Sequence, residues 1–222
     1  MLNLPQVTDT YFWALQVNFS RGNSNVDEGA GHTGFQWRAA HPGNRAVNWG
    51  GYEAGRPVGQ GRVLQGSTSP LPSTPGDVNT RDFPWEAGVP YRFTVRPAGP
   101  AEAEYPPGLL TAWRATATRL DTGVEQVIRD LYAPGPFVKA AMVWSEVFAA
   151  CDAPSVAVAW SNLTMLRPGG GDVQVKAVTV NYQPRERGGC PNTNSAVEDE
   201  RFTQTTTVPR TTPQGTVLST ST

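Results

Sequence analysis

The chain has 222 residues, and 18 Lys and Arg stand against 19 Asp and Glu for a net charge of −1. That balance excludes the basic field of a nucleic-acid binder or of a protein drawn to anionic membranes. No apolar run reaches the ~20 residues of a membrane helix, so membrane insertion is not expected.

The first residues, MLNLPQVTDT, lack the basic and apolar regions of a signal peptide, and a trimmed secreted form would look the same. TYFWALQVNF follows with a period of two: Tyr11, Trp13, Leu15, Val17 and Phe19 alternate with Phe12, Ala14, Gln16 and Asn18. Such alternation predicts a half-buried strand. The segment Gly55 to Thr80 is irregular, and long loops in compact domains often shape binding sites. GVPYRFTVRP returns to strand patterning, with Tyr91, Phe93 and Val95 facing one way and Arg92, Thr94 and Arg96 the other. EQVIRDL, VWSEVF, SVAVAWSN and DVQVKAVTVNYQ also read as strands. The Thr-rich end reads as a partly ordered segment in which RFTQTTTV suits an edge strand. Turn clusters such as HPGN, SPLPSTPGD, RPAGP and RPGGG separate these runs, drawn from 23 Gly and 20 Pro spread without period. The pattern predicts an all-β, antiparallel β-sandwich or jelly roll of about ten or more strands with little helix. One domain over 1–222 fits this class, with the last few residues loose.

Cys151 and Cys190 are the two cysteines. They are either free thiols or one disulfide, and the loop-like GGCPNTN stretch favours the disulfide. No His lies near either, so no zinc site is expected. Asp27, Asp77 and Asp82 sit in turns but lack the ligand spacing of a calcium loop. No cofactor motif is present: GGGD at 169–172 precedes a strand, unlike a phosphate loop, and no serine has a G-x-S-x-G context. His32 and His41 read as surface residues. Asn18-Phe19-Ser20 and Asn162-Leu163-Thr164 match the glycosylation pattern, which matters only in a eukaryotic secretory route.

Glu146 is the sharpest candidate for chemistry. It shares a strand face with Val138, Ala140, Met142, Trp144 and Phe148. A carboxylate on an apolar face needs a partner or a raised pKa, and Arg92, Arg96, Arg114 and Arg129 are the expected mates. The alternative is a working acid in an aromatic-lined groove. Glycosidic hydrolysis usually takes two carboxylates facing one cleft, and the spacing here offers only Glu53 or Glu86 as a second. Glu102 and Glu104, two apart, lie in an exposed Pro-rich turn. Of seven tryptophans, Trp13 and Trp160 alternate with apolar neighbours and read as core. Trp37, Trp49 and Trp85 lie near polar or Gly/Pro-rich stretches and, with Trp144, are candidates to stack on sugar rings, with Glu53, Glu86 and Glu146 beside them.

Several stretches occur in a telling order: QVNF, HTGFQW, NWGGYE, FPWEAGVPYRF, AWRATATRLDTGVEQVIRDL, VWSEVF before Cys151, and GGCPNTN with QTTTVPRTTPQGT. Together they resemble a family of secreted bacterial β-sandwich proteins known as a domain of unknown function, with a concanavalin-A-type jelly roll. The resemblance implies an extracellular setting and supports a Cys151–Cys190 pair. It implies no catalytic residues. The expectation is therefore a secreted, non-catalytic protein that binds carbohydrate or another cell-surface polymer. Two rivals are a glycoside hydrolase or polysaccharide lyase using Glu146, and a structural protein of an envelope, appendage or virion.

Overall fold

A computed structural model describes residues 9–22, 28–54, 61–73, 77–102, 109–167 and 170–221. Asp27, Glu104 and the stretches 55–60 and 74–76 lie outside the described residues. The described residues contain fifteen strands, and their only helical pieces are short 3-10 turns at Pro42–Asn44 and Arg185–Arg187. Every ladder whose register is described runs antiparallel. The all-β expectation holds, and the chain falls into two compact units.

The larger unit, Asp9–Val147, holds eight strands: β1 (Thr10–Ser20), β2 (Gly29–Trp37), β3 (Arg45–Glu53), β4 (Thr80–Asp82), β5 (Tyr91–Glu102), β6 (Leu109–Arg119), β7 (Glu125–Ala133) and β8 (Phe137–Phe148), whose last residue passes into the smaller unit. One sheet has the order β4-β3-β2-β1-β8 and the other β5-β6-β7. In the first sheet the register places Trp13 opposite Phe35, Phe35 opposite Val47, and Thr33 opposite Trp49. These side chains share the inner face. The Phe35 ring lies 4.8 Å from both Tyr91 and Phe93 on β5, and Phe19 lies 5.2 Å from Trp113 on β6. The Trp49 indole donates to the Trp113 carbonyl at 2.8 Å. Two sheets packed through interdigitated inner faces make this unit a β-sandwich.

Tryptophans 13, 49, 85 and 113 are 0–3% exposed. Gly31 makes room for one of them: a side chain there would stand 2.6 Å from the Trp49 ring. Arg129 on β7, only 4% exposed, donates to the Val78 carbonyl and to Asn79 Oδ1, just before β4. It thus joins the second sheet to the edge of the first.

The smaller unit, Phe148–Thr222, has β9 (Ala157–Trp160), β10 (Thr164–Leu166), β11 (Asp172–Gln174), β12 (Ala177–Thr179), β13 (Thr193–Glu198), β14 (Arg201–Thr206) and β15 (Val217–Ser219). Its ladders are β13-β14-β9, β10-β11 and β12-β15. Two expectations change here. DVQVKAVTVNYQ divides into β11 and β12, because each half pairs with a different strand. RFTQTTTV contributes the central β14 rather than an edge, flanked by β13 and β9, with Phe202 and Thr203 buried. The Thr-rich end is also tied down, through β15.

Cys151 and Cys190 form a disulfide with a Cα–Cα distance of 5.5 Å. Around it Asn192 donates to the Cys151 carbonyl at 2.6 Å, and Arg210 donates to the Cys190 carbonyl at 2.7 Å. The Arg210 guanidinium also lies 3.9 Å from the Tyr182 ring centre.

Candidate functional site

Side-chain alternation puts a second set of residues on the outer face of the five-stranded sheet, turned away from the sandwich core. Strand β1 places there Phe12, which is buried at 4% exposure, and the half-buried Gln16 and Asn18. His32 on β2 lies directly between Gln16 and Gly50 in the two ladders, and Tyr52 follows Gly50 on the same face of β3. Trp144 comes from β8. The Phe12 ring is 5.0 Å from Trp144 and 5.6 Å from His32, and His32 is 5.9 Å from Trp144 and 6.1 Å from Tyr52. Ala14, Ala30, Gly34 and Gly50 flank the rings with little side chain of their own.

Two amides complete the cluster. The Trp144 indole N–H donates to Gln16 Oε1 at 3.2 Å, and Gln16 Nε2 donates to Asn18 Oδ1 at 3.0 Å. Both amide residues are half-buried. Glu146 follows Trp144 on the same face of β8.

The expected arginine partner of Glu146 is a correction. Arg114 is taken by Asp130, with contacts of 2.8 and 2.9 Å. Arg129 is spent on Val78 and Asn79. Arg92 and Arg96 point to the exposed side of β5. Glu146 makes no hydrogen bond or ion pair with a described residue and is exposed. The protein around it still holds its carboxyl above the ordinary carboxylate range, through desolvation. The group is an acid open to solvent.

Burial acts on His32 in the opposite sense, because its charged form is the cationic one. Its pKa is held down to about 4. A depressed folded value means stability that is present above the unfolded pKa of 6.5 and is lost as pH falls through about 4. The loss amounts to about 3 kcal/mol. Glu146 works with the other sign: its contribution is present in acid and fades as pH rises. Comparing wild type with His32→Phe, which keeps the ring volume, isolates the histidine. Denaturant midpoints measured from pH 7 to pH 4 should fall less steeply in the variant, and equal slopes would refute the assignment.

Other expected site residues lie elsewhere. Trp49 and Trp85 are both 0% exposed, so neither can stack on a sugar. Trp37 is half-buried with its ring 6.2 Å from Trp85, on the inner-face side of β2. Glu53 has the opposite parity to Tyr52 on β3 and points away from the aromatic cluster. Glu86 pairs with Arg119, which holds its carboxyl below the usual range. Neither supplies a second carboxylate beside Glu146.

His41 departs from its surface expectation: it is 4% exposed, and its Nδ1 lies 2.6 Å from Asp82 Oδ1. Asp77 accepts from Arg38 and from the backbone of Asn79 and Thr80, which lowers its pKa despite desolvation. Both aspartates thus serve protein partners, and among the described residues no group of three or more His, Cys, Asp or Glu could hold a metal ion.

Sequence reasoning passed over His32, Gln16, Asn18 and Tyr52. The available signal was parity: Gln16 and Asn18 alternate with Leu15 and Val17, and His32 alternates with Thr33 and Phe35.

No family model matches the chain, and no curated protein matches it. Among solved structures, aspergilloglutamic peptidase from Aspergillus niger aligns over 89% of this chain and 98% of its own, with 14% identity and a TM-score of 0.47. A likeness of that size carries no argument about activity, and the site must be read from its own residues.

Proposed function

We propose that the protein is a secreted, non-catalytic binder of carbohydrate or another cell-surface polymer, and that the polymer lies along the outer face of the five-stranded sheet. The observation that carries the reading is the Trp144 indole, anchored by Gln16 and flanked by Phe12, His32 and Tyr52. Aromatic faces with a few fixed polar groups are the usual make-up of a ligand site. The disulfide supports an oxidising compartment, and the resemblance to secreted bacterial β-sandwich proteins supports the same setting. Titrating tryptophan fluorescence with a panel of polysaccharides should reveal a binder. Trp144→Ala should weaken it by roughly thirtyfold, the effect of about 2 kcal/mol that aromatic anchors reach at interfaces. A panel without binding defeats the reading.

A second reading rests on Glu146, a carboxyl with raised proton affinity, without a partner among the described residues and two positions along β8 from Trp144. As a general acid it would make the face that of a glycoside hydrolase or polysaccharide lyase. Release of reducing ends or unsaturated products in mild acid, abolished in Glu146→Gln, would favour it. Binding without turnover would favour the first.

A further inference from the structure

The amide relay on the outer face has a fixed direction. An indole N–H can only donate, so Gln16 must turn Oε1 toward Trp144. Its Nε2 is then the group that faces Asn18, and Asn18 must receive it at Oδ1. Asn18 Nδ2 is therefore turned away from the relay, and no described residue accepts from it. The open end presents the two N–H groups of Asn18 and the remaining N–H of Gln16. Each side-chain oxygen accepts one hydrogen bond inside the relay and keeps one lone pair, so donors outnumber acceptors at this end.

The charged groups around this end are few. Strand β1 brings none on the outer face, and the Arg21–Glu28 ion pair stands just past Asn18, where β1 ends and β2 begins. His32 from β2 is neutral above about pH 4. Glu146 from β8 favours its protonated form more than an ordinary carboxyl does. Neither Lys nor Arg shares the parity of this face on β1, β2, β3 or β8.

We infer that the polymer unit seated beside Trp144 offers acceptor oxygens only, and that the ligand is an acidic polysaccharide whose uronate carboxylate is received by the Asn18 and Gln16 N–H groups. This rests on the polysaccharide reading above and names its substrate class. A sugar hydroxyl can accept from these donors only as a neutral group, which makes the weaker hydrogen bond. A carboxylate only accepts, and its charge strengthens the hydrogen bonds it receives from the open donors.

The test compares oligogalacturonate with its carboxyl-reduced galactan counterpart of equal length, by calorimetry at pH 4.5. Wild type should bind the uronate form roughly tenfold or more tightly, as for a hydrogen bond to a charged group. Asn18→Asp, almost isosteric, should lose that preference. Asn18→Ala, which removes the donors without adding charge, should lose the preference too, and thermal melts check that both variants are folded. Equal wild-type affinity for the two oligomers overturns the uronate inference and leaves polysaccharide binding standing. Polyglutamate binding as tightly as oligogalacturonate would move the site to acidic peptides. Failure of both oligomers and the wider panel removes the underlying reading as well.

Discussion

Removing the Cys151–Cys190 bridge should cost about 4 kcal/mol, the value that loop-closure entropy gives for a loop of 39 residues. The smaller unit depends on it because its buried apolar set is small: Val156, Ala157, Val158, Val180 and Phe202. Its strands are short, and β10, β11, β12 and β15 have three residues each. The bridge also fixes the Cys190 carbonyl that receives Arg210, and the Cys151 carbonyl that receives Asn192. A Cys151→Ala, Cys190→Ala double variant leaves those carbonyls on an untethered loop. With a urea slope of about 2 kcal/mol/M, its midpoint should fall by about 2 M. If oxidised protein and variant melt together, the hydrogen bonds alone hold the loop and the entropic account is wrong.

Trp49→Ala should be as damaging, and its effect lies in the core of the larger unit. The indole is fully buried, with its ring against Gly31, 6.5 Å from Phe19, and hydrogen-bonded to the Trp113 carbonyl. Truncating a buried tryptophan costs about 3–5 kcal/mol. Part of that reflects a carbonyl left without its donor. Trp49→Phe retains most of the ring and should lose about 1–2 kcal/mol, chiefly the hydrogen bond. Denaturant titrations of the two variants separate packing from polar loss. A Trp49→Ala protein that kept wild-type stability while losing polymer binding would restore Trp49 as a ligand residue.

That contrast shows where sequence reasoning stopped. Alternation along β1 and β5 was legible because each strand carries its own pattern, and Tyr91 and Phe93 do face the core. Trp49 was misassigned because Asn, Gly and Gly surround it in NWGGYE. The space that admits it is made by Gly31 on the neighbouring strand, and no single segment shows both halves. His41 was misread for the same reason, since Asp82 reaches it from 41 residues away. For Glu146 the face was legible and the partner was not. The arginines that could have met it are held by Asp130, Val78 and Asn79, and those pairings depend on how β6 and β7 align and on where the chain before β4 lies. The site itself draws one to three residues from each of β1, β2, β3 and β8, so it exists only once the sheet order is known.

Arg129 has a consequence for how the larger unit responds to its surroundings. Its guanidinium spans from β7 to the carbonyl just before β4, and although burial lowers its pKa, an arginine stays protonated through the range in which His32 and Glu146 respond. Its acceptors are a carbonyl and a neutral amide, which do not titrate either. The acid that protonates His32 and the rise in pH that ionises Glu146 leave this clasp unchanged. The sandwich is therefore fastened at its β4 edge by a bond indifferent to pH, while the opposite surface of the same sheet carries the groups that respond to it.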